Sequence, residues 1–122
     1  MIMLRILLVE DNRVYRETFK ENLGKHFPSV VIDEAESSEE ALQKIDLAPP
    51  DLAFIDIRLP GMNGLQLTQK IKRDFPNIRI AVVTGYNLPE YRDAALQYGA
   101  DRFFVKELLK CKEVEDLVKT VE

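Results

Sequence analysis

The stretch Leu52–Gly64, with the sequence LAFIDIRLPGMNG, joins a buried segment to an acidic side chain and a tight loop. Its first four residues are apolar, which is typical of a strand that is covered on both faces of a parallel sheet. Asp56 follows almost at once, and the loop after it contains Pro60, Gly61 and Gly64. Because a buried carboxylate is costly unless it is paired or bound to a metal ion, an acid at this place indicates a functional site.

Hydrophobic patterns along the rest of the chain predict five strands that alternate with five helices. The strands are predicted at Met3–Val9, Val30–Ile32, Asp51–Asp56, Ile78–Val83 and Arg102–Val105. The helices are predicted at Asn12–His26, from Ser37 to the Pro49–Pro50 pair, at Asn63–Phe75, at Leu88–Tyr98 and at Leu109–Val121. Ser37 and Glu40 have the spacing of a capping box at the start of the second helix. This alternation predicts an α/β fold of the doubly wound, flavodoxin-like (βα)5 type, a parallel five-stranded sheet with helices on both faces.

Length and composition predict a single compact globular domain over residues 1–122. The formal net charge of −4 argues against binding of nucleic acid or of an anionic membrane by this domain, since both need a basic surface. The single cysteine, Cys111, excludes an internal disulfide and fits a reducing cytoplasm. No apolar run reaches membrane-spanning length, and the first residues are interpreted as a strand rather than as a signal peptide.

Polar side chains follow four of the five predicted strands: Glu10 and Asp11, then Asp56, then Thr84, then Lys106. In a parallel sheet these strand ends lie at one edge, where ligands bind. If the strand order is 2-1-3-4-5, one of the two common orders, the first and third strands are neighbours and their three carboxylates converge. Such a group stays ionised when a divalent cation is bound, and oxygen ligands suit Mg²⁺. A nucleophile, a metal site, an ammonium and a hydroxyl together indicate phosphoryl transfer onto a carboxylate.

The residues Glu10-Asp11, Asp56 with the later LPGMNG segment, Thr84-Gly85 and Lys106 resemble the receiver domain of two-component response regulators in order and spacing. The resemblance covers nearly the whole chain. It implies that Asp56 accepts a phosphoryl group from a phosphohistidine on a sensor histidine kinase or a phosphotransfer protein. It also implies a signalling switch that catalyses its own phosphorylation and dephosphorylation, rather than a metabolic enzyme.

The resemblance implies a set of ligands for Mg²⁺. Asp11 would bind the ion directly, and Glu10 would bind it mainly through water. Asp56 and the backbone carbonyl of Arg58 would supply the remaining protein ligands. The Pro-Gly loop would shape the backbone that presents this carbonyl and would start the third helix.

The resemblance also implies how the switch works. Thr84 would hydrogen-bond to the phosphoryl group, and Lys106 would pair with Asp56 and then with a phosphoryl oxygen. Phe103 occupies the family's aromatic switch position and would rotate inward as Thr84 moves. The face formed by the fourth helix, the fifth strand and the fifth helix would then change. A partner would read that face, a homodimer could form through it, and a DNA-binding or enzymatic output domain could follow in a longer native chain.

Other interpretations use some of the same residues. A flavodoxin-like electron carrier shares the architecture, but its phosphate loop would be Glu10–Arg13, which is acidic. A haloacid-dehalogenase-type phosphatase needs an acid at position 58, where this chain has Arg58. A phosphorylation-independent pseudo-receiver stays open, because Glu107 follows the lysine where the family commonly has proline. Arg58 and Tyr86 each lie two positions after a predicted site residue, and we predict that they hinder the water that would hydrolyse an acyl phosphate.

Overall fold

The computed structural model describes residues 3–121; Met1, Ile2 and Glu122, which the predicted domain 1–122 also includes, lie outside the described residues. Within that range the strands are β1 (Arg5–Val9), β2 (Val31–Ala35), β3 (Leu52–Ile55), β4 (Arg79–Thr84) and β5 (Arg102–Val105). The helices are α1 (Arg13–His26), α2 (Ser38–Leu47), α3 (Gly64–Asp74), α4 (Pro89–Gln97) and α5 (Cys111–Val121). The strands form one sheet in the order β2-β1-β3-β4-β5, and every pairing is parallel. The predicted fold and strand order are confirmed.

The second strand is longer than predicted and ends at Ala35 rather than at Ile32. The prediction was wrong because Asp33 and Glu34 look like the polar end of a strand. β2 lies at an edge of the sheet, where partly exposed charges are tolerated. Lys44 contacts Asp33 at 3.2 Å, and Arg16 and Lys20 contact Glu34 at 3.1 and 3.0 Å. The ion pairs allow both acids to remain in the strand.

The last helix begins at Cys111, two residues later than predicted. The amides of Leu108 and Leu109 both donate to the carbonyl of Val105, at 3.0 and 2.9 Å. These bonds close a turn directly after β5. The residues between the strand and the helix therefore double back and leave Lys106 at the end of the sheet.

The helix starts differ in how they are capped. The Ser37 hydroxyl accepts from the Glu40 amide at 3.1 Å, as predicted. The Glu40 carboxylate accepts from the Glu36 amide at 2.7 Å, so the reciprocal half of the predicted capping box is not made with Ser37. A complete capping box forms instead at α3, where Asn63 and Gln66 each accept from the backbone amide of the other. This cap fixes the start of the helix that follows Asp56.

Two apolar clusters cover the two faces of the sheet, because successive strand residues point to opposite sides. In the first cluster the strands pack against buried side chains of α2, α3 and α4. In the second cluster they pack against buried side chains of α1 and α5. Fully buried side chains such as Ile71 on α3 and Val118 on α5 each stabilise the fold by about 1.5–3 kcal/mol through removal from water. None of the helices within residues 3–121 combines the length and the apolar character that crossing a membrane requires.

Candidate phosphoacceptor site

Glu10, Asp11 and Asp56 form an acidic cluster at the carboxyl edge of the sheet. The register between β1 and β3 pairs Val9 with Ile55, so the residues that follow them lie side by side. The Asp56 amide donates to the Val9 carbonyl at 3.0 Å, which extends this pairing to the acid itself. One carboxylate oxygen from each acid lies within 4.8 Å of the others. Glu10 and Asp56 are buried and Asp11 is exposed, so the cluster opens to solvent on one side.

Lys106 reaches this cluster from the end of β5. Its Nζ atom lies 2.6 Å from Glu10 Oε1 and 3.1 Å from Asp56 Oδ2. Burial acts to lower the pKa of Lys106, but the hydrogen bond with Glu10 and the charge of Asp56 outweigh burial and raise that pKa above its ordinary value. Burial raises the pKa of Glu10, and hydrogen bonds from Lys106 and from the Asn12 amide offset only part of this effect. The lysine therefore stays charged beside Asp56.

The second carboxylate oxygen of Asp56 has a different environment. Oδ2 accepts from Lys106, whereas Oδ1 is buried and has no hydrogen-bond partner among residues 3–121. An unpaired oxygen in a buried carboxylate is unusual and is commonly explained by an ion or a water molecule. The donor set around it consists of the carboxylates of Glu10, Asp11 and Asp56. Hard oxygen ligands with one side open to water fit Mg²⁺.

The loop after Asp56 brings the first residue of α3 against the backbone of that acid. The Gly64 amide donates to the Ile57 carbonyl at 2.8 Å. A Cβ atom at position 64 would lie 1.9 Å from the Asp56 carbonyl oxygen and 2.7 Å from its carbon. Gly61, three residues earlier, has φ of +72°, which favours glycine at that turn. The loop therefore depends on glycine at both positions, and it holds the main chain of Asp56 closely.

Thr84 and the residues predicted to shield the site lie at the same edge. Thr84 is the last residue of β4 and is fully buried, and its hydroxyl accepts from the Tyr86 amide at 3.4 Å. The Arg58 guanidinium stacks on the Tyr86 ring, with 5.2 Å from its carbon to the ring centroid. The Tyr86 ring packs in turn on that of Tyr91, with centroids 5.3 Å apart. The two residues predicted to shield the site thus lie against each other.

Comparison with known proteins identifies the family to which this site belongs. The sequence model of the response regulator receiver domain matches residues 6–122. The chain is a member of this family. The match confirms the resemblance that the strand-end residues carried. As a receiver domain of two-component systems, the chain belongs to a family of signalling switches whose members generally bind Mg²⁺ in an acidic pocket and partner with sensor histidine kinases.

Two curated relatives of this receiver domain are longer proteins with different names and functions. It is 34% identical, over 98% of its length, to the DNA-binding transcriptional activator DevR/DosR of Mycobacterium tuberculosis, of which it covers 54%. It is 35% identical, over 84% of its length, to a protein-glutamate methylesterase/protein-glutamine glutaminase of Geobacillus kaustophilus, of which it covers 30%. The crystal structure of a CheY-like receiver domain protein from Methanospirillum hungatei has a TM-score of 0.87 at 29% identity, over 98% of this chain and 93% of that one. The chain thus spans about half the length, or less, of these two curated relatives.

Phe103, the predicted aromatic switch residue, belongs to the first apolar cluster. Its side chain is 8% exposed, and the Arg92 guanidinium lies 5.9 Å from its ring centroid. The ring is therefore already inward in this conformation. Its rotation together with Thr84 stays a prediction, as does the use of the Arg58 carbonyl as a metal ligand.

Two residues near the receiver site were missed by the sequence reasoning. Tyr15 has the helical spacing of a core aromatic residue of α1, but the Lys106 ammonium lies 4.4 Å from its ring centroid. Arg16 was not singled out, yet it is buried, donates to the Glu10 carbonyl at 2.7 Å and pairs with Glu34 at 3.1 Å. The sequence offers only a weak signal for Arg16, which is a basic residue on the first turn of the helix that follows an acidic pair. The partners of Arg16 can be recognised only once β1 and β2 are known to lie side by side.

Proposed function

We propose that Asp56 of this receiver domain accepts a phosphoryl group from a phosphohistidine on a sensor histidine kinase or a phosphotransfer protein. The observation that carries the proposal is the unequal environment of the two carboxylate oxygens of Asp56. Oδ2 is held by Lys106 at 3.1 Å, whereas the buried Oδ1 has no donor from the described part of the chain. The carboxylate is thus oriented through one oxygen, while the other is available for a ligand or for reaction.

In the proposed reaction an oxygen of Asp56 attacks the phosphorus atom in line with the phosphorus–nitrogen bond of the donor. The electron pair of that bond goes to the imidazole nitrogen, which takes up a proton, and the acyl phosphate remains on Asp56. Lys106 already lies beside the carboxylate, so a small shift of its ammonium would contact a phosphoryl oxygen. Thr84 would donate its hydroxyl proton to another phosphoryl oxygen. Positioning and charge stabilisation supply most of the catalysis in such transfers.

Mg²⁺ would be held by Asp11 and Asp56 directly, by Glu10 mainly through water, and by the backbone carbonyl of Arg58. When bound, it would neutralise charge on the carboxylates and on the phosphoryl oxygens. Support comes from the charges at the site: the single ammonium of Lys106 faces three clustered carboxylates. A divalent cation would balance the two negative charges that remain after the lysine has neutralised one of the three.

The acyl phosphate would bias a two-state equilibrium in which Thr84 and Phe103 move together. The surface of α4, β5 and α5 would change and be read by a partner, by an output domain in a longer native chain, or by a second copy in a homodimer. A domain with a formal net charge of −4 is poorly suited to contact nucleic acid or an anionic membrane. DNA binding would therefore belong to an output domain, as the name of the M. tuberculosis relative suggests. We place the protein in the cytoplasm and treat residues 1–122 as one receiver domain.

The test is intact mass spectrometry after incubation with Mg²⁺ and acetyl phosphate. We expect one added phosphoryl group on the wild type, none on Asp56→Asn, and none when the metal is chelated. Asp46→Asn is the matched control, because Asp46 is an exposed acid on α2 that takes no part in the cluster. Modification that survives Asp56→Asn would contradict the assignment of the phosphoacceptor. No modification by acetyl phosphate or by a phosphorylated histidine donor would instead favour a pseudo-receiver.

A flavodoxin-like electron carrier is the other alternative with this fold. The loop Glu10–Arg13 after β1 carries two acids where a flavin phosphate would have to bind. The receiver-family match over residues 6–122 also argues against this function. Flavin absorbance in the purified protein would support the electron-carrier function instead.

A further inference from the structure

The Tyr15 ring covers one side of the Lys106 ammonium. The Nζ atom lies 4.4 Å from the ring centroid, within the distance at which a cation is attracted to an aromatic face. The same ammonium contacts Glu10 at 2.6 Å and Asp56 at 3.1 Å. We propose that Tyr15 is a positioning residue that keeps Lys106 directed at Asp56, an inference that rests on the proposed function of these two residues.

Lys106 has a second place that it could occupy. Tyr15 and Lys106 both line a cavity of about 180 Å³ between α1 and α5. Glu115, whose carboxylate contacts His26 at 2.8 Å, lines the same cavity and offers a competing negative charge. The long side chain of lysine is flexible, so it needs a partner that restricts it to one orientation. Without the Tyr15 ring, the ammonium could turn into this cavity and away from the acidic cluster.

Tyr15 also forms the boundary on the other side. It lines a much smaller cavity, of about 20 Å³, together with Glu10 and Asp56. Tyr15 therefore lies between the large cavity and the small space beside the two acids.

The Tyr15 ring is itself held by aromatic packing. Its centroid is 6.0 Å from that of Phe19, which packs edge-on against Phe54 at 4.9 Å. Phe54 belongs to β3 and lies two residues before Asp56. At the other side of Tyr15, its amide donates to the Asn12 side chain at 3.0 Å in the cap of α1. The ring is thus tied to the strand that carries the phosphoacceptor and cannot move freely relative to it.

The kinetic test compares the initial rate of phosphorylation by acetyl phosphate and Mg²⁺ in three variants. Tyr15→Leu removes the aromatic face and should be about three- to tenfold slower than the wild type. Tyr15→Phe keeps the face and should restore the rate to within about twofold. Phe27→Leu is the control for losing a ring, because Phe27 is partly buried in the same apolar cluster and lines the same cavity. If Tyr15→Leu does not fold, Tyr15→Met replaces it.

The spectroscopic test follows the ε-methylene protons of Lys106 by NMR. A ring face over the side chain shifts these protons upfield, so the shift should be present in the wild type and in Tyr15→Phe and absent in Tyr15→Leu. Equal phosphorylation rates in the wild type and Tyr15→Leu, or a Tyr15→Phe variant as slow as Tyr15→Leu, would overturn the positioning role and leave the proposed function intact. An unchanged chemical shift of the Lys106 ε-methylene protons in Tyr15→Leu would overturn the contact between the ring and the lysine. If the wild type accepts no phosphoryl group from any donor, it is the proposed function that fails.

Discussion

Replacing Gly64 by alanine should destabilise the domain strongly, because the structure leaves no room for a side chain there. A Cβ atom would lie 1.9 Å from the Asp56 carbonyl oxygen and 2.9 Å from the Ile57 Cα atom, against 3.0 Å as the practical lower limit for such contacts. The obstructing atoms are main-chain atoms, and they cannot rotate away as a flexible side chain would. The Asp56 amide donates a hydrogen bond to the Val9 carbonyl at 3.0 Å, and the Gly64 amide donates one to the Ile57 carbonyl at 2.8 Å. A backbone movement that relieved the clash would break these hydrogen bonds.

Overpacking of this kind costs about 1–3 kcal/mol and occasionally more, and we expect a loss of about 3 kcal/mol in the free energy of unfolding for Gly64→Ala. Gly24 provides the matched control, because it lies on α1 with nothing within 4 Å of its Cβ position. Gly24→Ala should stabilise the domain by about 0.5 kcal/mol, since glycine is a poor helix former. The two substitutions are chemically identical and are predicted to act in opposite directions.

The assay is urea unfolding of both variants and the wild type, with the midpoints compared where the slopes agree. The folded fraction of Gly64→Ala should also accept a phosphoryl group more slowly, because the clash falls on the backbone of Asp56. A Gly64→Ala variant whose stability lies within about 0.5 kcal/mol of the wild type would refute the close approach of α3 to Asp56. That result would also remove the reason for treating this loop as the rigid support of the site.

Two further predictions concern the surface around the site. Arg58→Ala and Tyr86→Ala should each speed the decay of the acyl phosphate at least about twofold, because we predict that this pair of side chains hinders the hydrolytic water. Decay is followed by intact mass after the donor is removed, and an unchanged decay rate would contradict this prediction. Burial acts to raise the pKa of Glu34, but hydrogen bonds from Lys20 and Arg16 outweigh it and hold that pKa below 4.5. A carboxyl group whose pKa is lower in the folded state stabilises the fold at any pH above its pKa in the unfolded state. This stabilisation is lost as the pH falls through the pKa of the folded state. The stability difference between the wild type and Glu34→Gln, from urea unfolding, should therefore be constant near neutral pH and shrink in acid below 4.5.

The fold could be predicted because its local signals agree with one another. β3 is a short apolar run followed by a loop with proline and glycine, and α5 places Val114, Leu117 and Val118 on one helical face. A parallel sheet with helices on both faces buries such uninterrupted strands, and the helices predicted between them supply the cover. The error at the end of β2 arose because Glu34 is charged, whereas the basic residues that pair with it come from α1.

The acidic cluster could be predicted for a related reason. Strand ends in a parallel sheet share one edge, so polar residues that are distant in the sequence, such as Asp56 and Lys106, are brought together by topology alone. The contact between Tyr15 and Lys106 could not be predicted in this way. It depends on how α1 packs beside the turn after β5, and Tyr15 has the spacing of any core aromatic. The need for glycine at position 64 was likewise hidden, because it arises from the position of a neighbouring carbonyl and not from a positive φ.

These constraints determine which parts of the site could respond to phosphorylation. The backbone of Asp56 is fixed on both sides, by its amide bond to Val9 and by the close approach of Gly64 to its carbonyl. Additional charge on the Asp56 side chain is therefore accommodated less readily by a shift of β3 than by movement of its side-chain partners. Lys106 is held to its surroundings differently: its amide donates to the Thr84 carbonyl at 2.8 Å, and a turn rather than a helix follows it. A change at the phosphoacceptor would thus pass to the ends of β4 and β5 together, which is the side of the domain where the proposed switch surface lies.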